Sequence, residues 1–107
     1  MELTSKQRAQ LRAIANSIDT IVQIGKDGIT ENLVRQADSA LQAREIIKCR
    51  VLENSLLSAR EACEELGRLT ASQPVQVIGT RFVLYRQQPD KNKRKIQLVK
   101  AEKRRTE

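Results

Sequence analysis

The residues best suited to chemistry lie in one short segment, IGKDGIT at positions 24–30. Gly25 and Gly28 bracket Lys26 and Asp27, which gives the segment Gly-x-x-Gly spacing. Glycines let a sugar-phosphate chain approach the backbone without a Cβ in the way. Lys26 adds a mobile positive charge, whereas Asp27 disfavours phosphate and is also a common turn residue. The segment is therefore a candidate phosphate-binding loop, although the spacing alone is more typical of a plain turn.

Thr30, two positions after Gly28, extends this candidate site. Thr30 is placed to cap a helix, whose first turn presents unpaired N–H groups and the positive end of its dipole. The spacing fits neither the GxxxxGK[ST] pattern of a P-loop nor the GxGxxG pattern of a dinucleotide-binding fold. Gly-x-x-Gly loops also grip nucleic-acid backbones in KH modules, but there the motif joins two helices. The alternatives at this point remain a turn and a binding loop.

A basic helix is predicted ahead of this loop. Thr4 and Gln7 form a capping-box signature, and the apolar residues that follow recur with helical spacing up to position 18. Lys6, Arg8 and Arg12 belong to this helix, and the two arginines lie one turn apart on one flank. They form either a nucleic-acid contact or an ordinary solvated helix face.

The remaining pattern predicts an α/β protein. Short β-branched or alternating runs indicate strands at 20–24, 45–52, 75–78 and 82–86, and Ser55 is expected to open a third helix that buries Leu56. The resulting order is α-β-α-β-α-β-β. We expect a single compact domain in which helices pack on a small, mixed, four-stranded sheet that ends in an antiparallel hairpin.

Positive charge is concentrated at the C-terminal end. Up to Tyr85 there are 11 Lys and Arg against 10 Asp and Glu, and from Arg86 onward there are 9 against 3. We expect a nucleic-acid-binding domain over 1–88 and a basic tail over 89–107, partly disordered or with a short edge strand in KRKIQLVK. Such a tail attracts polyanions, or only adds solubility; no amphipathic helix or lipidation motif favours a membrane. Candidate auxiliary contacts to nucleic acid are Lys48, Arg50, Lys93, Arg94 and Lys95.

The composition argues against catalysis and cofactors. The chain has no histidine, and Cys49 and Cys63 lie without other soft ligands nearby, so neither a zinc site nor a hydrolytic base is expected. We expect both cysteines to be small buried hydrophobes with reduced thiols. Phe82 and Tyr85 are the two aromatic residues and should serve the core, with the tyrosine hydroxyl reaching solvent. No metal, cofactor or small-molecule substrate is predicted.

Four blocks of the sequence stand out together: LTSKQRAQLRAIA at 3–15, IGKDGITENLV at 24–34, REIIKCRVL at 44–52 and VQVIGTRFVLYR at 75–86. In this order and spacing they resemble a known family, the CRM domain or YhbY-like RNA-binding domain. Departures from the family pattern at Ile29, at the Arg44-Glu45 pair and at Cys49 are mild.

The resemblance implies a fold similar to the C-terminal domain of bacterial translation initiation factor three. It also implies a cytoplasmic RNA-binding protein that acts in ribosome biogenesis on rRNA of large-subunit precursors, and the lone domain is expected to be monomeric. The implied RNA surface comprises Lys6, Arg8, Arg12, Gly25, Lys26, Asp27, Gly28 and Thr30. The alternative is a protein–protein adaptor on the ribosome whose basic tail only steers association.

Overall fold

The structure, a computed structural model, describes residues 2–100, so that Met1 and the end of the predicted tail at 101–107 lie outside the described residues. Within this range the α-β-α-β-α-β-β order is confirmed. The strands form one mixed sheet in the order β1-β2-β4-β3, with β1 parallel to β2 and the other pairs antiparallel. The elements are α1 Ser5–Ala15, β1 Thr20–Ile24, α2 Glu31–Arg44, β2 Ile46–Val51, α3 Ala59–Thr70, β3 Gln73–Ile78 and β4 Arg81–Tyr85, followed by a 3₁₀ turn at Lys91–Lys93.

Helices cover both faces of the sheet, because alternate residues of β2 and β4 are apolar on opposite sides. On one face, α2 and α3 bury Leu41 and Leu66 against Cys49, Phe82 and neighbouring strand residues. On the other face, α1 and the segment after β4 cover a smaller apolar cluster. That second cluster comprises Leu11, Ala15, Ile46, Val75, Val83 and Tyr85. The result is a three-layer domain in which α1 covers only part of its face.

The helix starts follow their capping residues. The Thr4 hydroxyl oxygen accepts from the Gln7 N–H, and the Gln7 side chain accepts from the Thr4 N–H, each at 3.1 Å, which confirms the capping box. The predicted start of α3 at Ser55 was wrong. Ser58 is the cap and forms a reciprocal capping box with Glu61, whereas Leu56 lies outside the helix with 92% of its side chain exposed.

Glu45 holds the chain that follows β4 against the domain. It ends α2 with a positive φ of 70° and is only 1% exposed. Its carboxylate accepts three backbone N–H bonds, from Gln88, Lys95 and Ile96, each at 2.8 Å. This acceptor fixes the segment from Pro89 to Lys100 beside the start of β2.

The same segment is also pinned to α1 by two glutamine side chains. Gln10 donates from its amide to the Gln97 carbonyl and accepts from the Val99 N–H, and Gln7 donates to the Val99 carbonyl at 3.0 Å. Leu98 and its neighbour Ile96 pack on the α1 cluster. Residues 94–100 thus form no strand but lie ordered against the body of the domain.

Both aromatic side chains lie in the core, as expected. The hydroxyl of Tyr85 does not reach solvent, which corrects the sequence-based expectation: the residue is 0% exposed because α1 and the segment after β4 close over it. Burial, and secondarily the nearby Glu45 carboxylate, raises the pKa of Tyr85.

The two cysteines are free and buried, as the sequence indicated. Burial raises the pKa of Cys63 to about 11, with a further contribution from Glu64, and burial raises the pKa of Cys49 as well. Because the thiolate is the reactive form, we expect neither thiol of the folded protein to react readily with Ellman's reagent at pH 8. Both should react at once in denaturant, and rapid modification of the native protein would contradict this burial.

Among residues 2–100, no helix is both long and apolar enough to cross a membrane. The same residues hold no cluster of three or more His, Cys, Asp or Glu side chains that could bind a metal ion.

Candidate nucleic-acid interface

The Gly-x-x-Gly segment forms a tight turn at the carboxyl end of β1. The Gly28 N–H donates to the Gly25 carbonyl at 3.1 Å, and Lys26 and Asp27 are exposed between them. Just before the turn, the Ile24 carbonyl accepts from the Leu52 N–H at 2.8 Å, which ties the loop to the end of β2. The loop is therefore a short, anchored projection at one end of the sheet.

The two glycines of the loop have different structural roles. Gly28 has a φ of +70°, a conformation that side chains with a Cβ adopt only with strain, and nothing lies within 4 Å of where its Cβ would be. Gly25 has no such backbone requirement, and a Cβ there would meet only Asn54 and Leu52 at 3.5 and 3.7 Å, which are ordinary contacts. The fold itself thus does not require glycine at position 25, whereas the space beside Gly28 is open.

Two residues, Ile29 and Thr30, separate the loop from the start of helix α2. The Thr30 hydroxyl oxygen accepts from the Leu33 N–H at 3.1 Å, so the predicted cap is in place. The hydroxyl hydrogen of Thr30 can still donate to an external oxygen. Glu31 occupies the first turn and competes there with any bound anion. The helix terminus can therefore assist the loop, but the loop glycines offer the less obstructed approach.

The basic residues of α1 lie away from this loop. Arg8 donates to the carbonyl of Pro74, which is opposite Leu84 in the hairpin, while Lys6 is exposed and Arg12 is half-buried. Pro74 is in register with Leu84 and Ile47, and Ile47 lies four residues, about 13 Å, before Val51, which pairs with Ile24 at the start of the turn. In addition, three strand spacings, about 14 Å, separate β3 from β1. The structure thus does not bring the α1 cations against the loop.

The open part of the sheet face that α1 partly covers carries further cations. Lys48 and Arg50 point away from α2 and α3, as predicted, and Arg81 lies directly opposite Arg50. Among the described residues, no hydrogen bond or ion pair occupies these three side chains or Lys26. Sequence reasoning missed Arg81 because it treated the residue as part of the turn. Its alternation with the buried Phe82 was the available signal.

The predicted auxiliary cations after β4 lie at the other end of the domain. Arg94 donates to the Gln88 carbonyl at 2.7 Å, the Lys95 N–H is bound by Glu45, and Lys93 is exposed. Since Glu45 precedes β2 and the loop flanks its end, about 20 Å of strand separates them. Arg86 is structural instead, because its guanidinium bonds to Asp38 at 2.6 Å and to the Thr70 carbonyl at 2.8 Å.

Comparisons with known proteins agree with this architecture. The protein YqeI of Bacillus subtilis strain 168, named "Probable RNA-binding protein YqeI", is 40% identical over 96 residues, which is 90% of this chain and 98% of YqeI. An "RNA-binding protein" of Haemophilus influenzae is 31% identical over 84 residues, covering 78% of this chain and 85% of its own. The solution structure of SAV1595 from Staphylococcus aureus, described as a candidate RNA-binding protein, matches with a TM-score of 0.75 and 44% identity. That match covers 92% of this chain and all of SAV1595.

The family model described as "CRS1 / YhbY (CRM) domain" matches residues 3–86, which takes in the glycine loop, both covered sheet faces and the strand pair that carries Arg50 and Arg81. The chain belongs to the CRS1/YhbY (CRM) domain family.

Proposed function

We propose that this protein binds RNA through the Gly-x-x-Gly loop and the basic sheet face beside it. The observation that supports this most is a set of four cations, Lys26 in the loop and Lys48, Arg50 and Arg81 on the open sheet face, that lack carboxylate partners among the described residues. Unpaired cations beside a bare glycine backbone suit a sugar-phosphate chain, whose phosphates release counterions on binding. The names of the relatives point to the same ligand class.

The RNA we propose is rRNA in precursors of the large ribosomal subunit, where the protein would act as an assembly factor. This narrower role rests on the four sequence blocks that resemble the CRM domain. In this role the protein works in the cytoplasm, as a monomer, and binds without catalysis. The basic flank of α1, where Lys6 and Arg12 make no side-chain hydrogen bond to any residue from 2 to 100, would extend the surface beyond the loop.

The test is a titration of the protein against fragments of large-subunit rRNA and against duplex DNA of equal length, at several salt concentrations. We expect rRNA to bind more tightly than duplex DNA, and binding to weaken as salt rises. A shortened chain should end at Lys100, because an earlier end would remove Ile96 and Leu98 from the core. An adaptor would instead bind ribosomal particles in high salt and ignore naked RNA, and that result would overturn the proposal.

Replacing Lys26 with alanine should remove about one phosphate contact. The slope of log affinity against log salt should then become shallower by about 0.7 to 0.9. Arg44, exposed at the last turn of α2 and far from the loop, provides the matched control for loss of one charge. An equal change of slope in Lys26→Ala and Arg44→Ala would mean that the attraction is general and that the loop is not the site.

A further inference from the structure

One complete row of side chains crosses the sheet next to the glycine loop. The register places Gln23 of β1 beside Arg50 of β2, Arg50 opposite Arg81 of β4, and Arg81 opposite Ile78 of β3. All four side chains point to the α1 side, since their neighbours in each strand are buried against α2 and α3. With strands about 4.8 Å apart, the row is about 14 Å long.

This row lies outside the area that α1 covers. The α1 cluster ends at Val83, one step further from the loop, so that Gln23 and Arg81 are exposed and Arg50 is partly exposed. Ile78 is 62% exposed, although it is a large aliphatic side chain on a sheet. The row therefore combines an amide, two guanidinium groups and an apolar surface at the end of the sheet face that α1 leaves uncovered.

The alignment of Arg50 with Arg81 lowers the stability of the folded protein when no ligand is bound. Like charges directly opposite each other on neighbouring antiparallel strands are destabilising, and neither guanidinium has an acidic partner in the described part of the chain. An anionic ligand over the row would turn this repulsion into attraction. The charge of the row thus favours a polyanion as its occupant.

The isoleucine indicates what form the polyanion takes. An A-form duplex presents phosphates and 2′-hydroxyls, while its base faces stay stacked inside the helix. An unpaired nucleotide presents a flat apolar face that can lie on Ile78 or on a guanidinium plane. We propose that the row Gln23-Arg50-Arg81-Ile78 binds an unpaired RNA segment, with a base on Ile78 and the adjoining phosphates on the two arginines. This inference rests on the proposed RNA-binding function and narrows its substrate to single-stranded regions.

The experiment compares a fluorescently labelled ten-nucleotide RNA single strand with an RNA duplex of equal length, at one moderate salt concentration. The variants are Ile78→Thr, which keeps the β-branched shape, Arg81→Gln, and Leu69→Ala as a control that trims an exposed aliphatic residue of α3. We expect the parent protein to favour the single strand. Ile78→Thr should weaken single-strand binding about five- to tenfold, as loss of a partly buried apolar contact implies, and leave duplex binding unchanged.

Arg81→Gln should weaken the binding of both the single strand and the duplex, and it should make the salt dependence of binding shallower. It should not lower the urea midpoint of unfolding, because it removes the repulsion between Arg81 and Arg50. Leu69→Ala should bind like the parent. If Ile78→Thr binds the single strand as tightly as the parent does, or if the parent favours the duplex, the inference is overturned while RNA binding stands. If the parent binds neither RNA, the proposed function fails with it.

Discussion

Replacing Glu45 with glutamine is expected to lower the free energy of unfolding by about 3 kcal/mol. The carboxylate is buried and both of its oxygens accept backbone N–H bonds, with Lys95 and Ile96 on Oε1 and Gln88 on Oε2. Glutamine has the same shape but replaces one oxygen with an NH₂ group, which would face an N–H that it cannot satisfy. The bonds that remain would also lose the strength that a charged acceptor gives them.

Urea denaturation of the parent and of Glu45→Gln measures this loss of unfolding free energy. Limited trypsin digestion shows which part of the chain becomes more accessible. The segment that Glu45 holds contains trypsin sites at Lys91, Lys93 and Arg94, which should be cut faster once it is released. Glu53→Gln is the matched control, because the Glu53 side chain is exposed and makes no hydrogen bond within the described part of the chain. A Glu45→Gln protein with the parent's urea midpoint and the parent's digestion rate would show that the segment is held by other contacts.

Replacing Gly28 with valine should weaken RNA binding at least tenfold while the domain still folds. A β-branched residue at a φ of +70° is strongly disfavoured, so the loop should move to another conformation. Nothing packs within 4 Å of the Cβ position, and the loss of folding stability should therefore stay near 1 to 3 kcal/mol. Asparagine tolerates the left-handed region, so Gly28→Asn should keep the turn and most of the affinity.

Fluorescence titration with rRNA fragments and urea denaturation separate the two effects. Ala71 supplies the control, since it ends α3 at a φ of 55° at the opposite end of the sheet from the loop. Ala71→Val introduces similar backbone strain but should leave RNA affinity unchanged. Were Gly28→Val to bind RNA as the parent does, the turn would be a plain connection between β1 and α2, and the proposed contact would have to lie elsewhere.

Local signals in the sequence predicted much of this fold. The Thr4 and Thr30 caps and the alternation along β2 each depend on neighbours a few positions away. The turn between β3 and β4 was also predicted, but one residue too long, because Arg81 was counted in it. Such short-range features are encoded by propensity and hydrogen bonding within the segment itself. The position of the glycine loop between β1 and α2 follows from the same kind of evidence. The resemblance of the four blocks to a family added the overall architecture.

Features that depend on distant residues were not predictable from those signals. Ser55 and Ser58 are both plausible helix caps, and the choice between them depends on whether Leu56 or Ala59 meets the core. The alignment of Arg50 with Arg81 requires the register of two strands thirty positions apart. Glutamate is a residue type that usually lies on the surface. Glu45 is buried because backbone from the far end of the chain folds over it.

The bonds between α1 and the segment after β4 have a consequence for how the chain acquires its structure. They join residues 87 to 92 positions apart, so nearly the whole chain is a loop that must close before they form. The cluster between the sheet and α2 and α3 needs nothing beyond Leu84, whereas the α1 cluster needs Leu98. During synthesis, which proceeds from the N-terminus, the cluster between the sheet and α2 and α3 can pack before Leu98 has been added. Leu11 can complete its contacts in the α1 cluster only after that. A refolding experiment should then find the α1 side of the protein among the last to gain protection from hydrogen exchange.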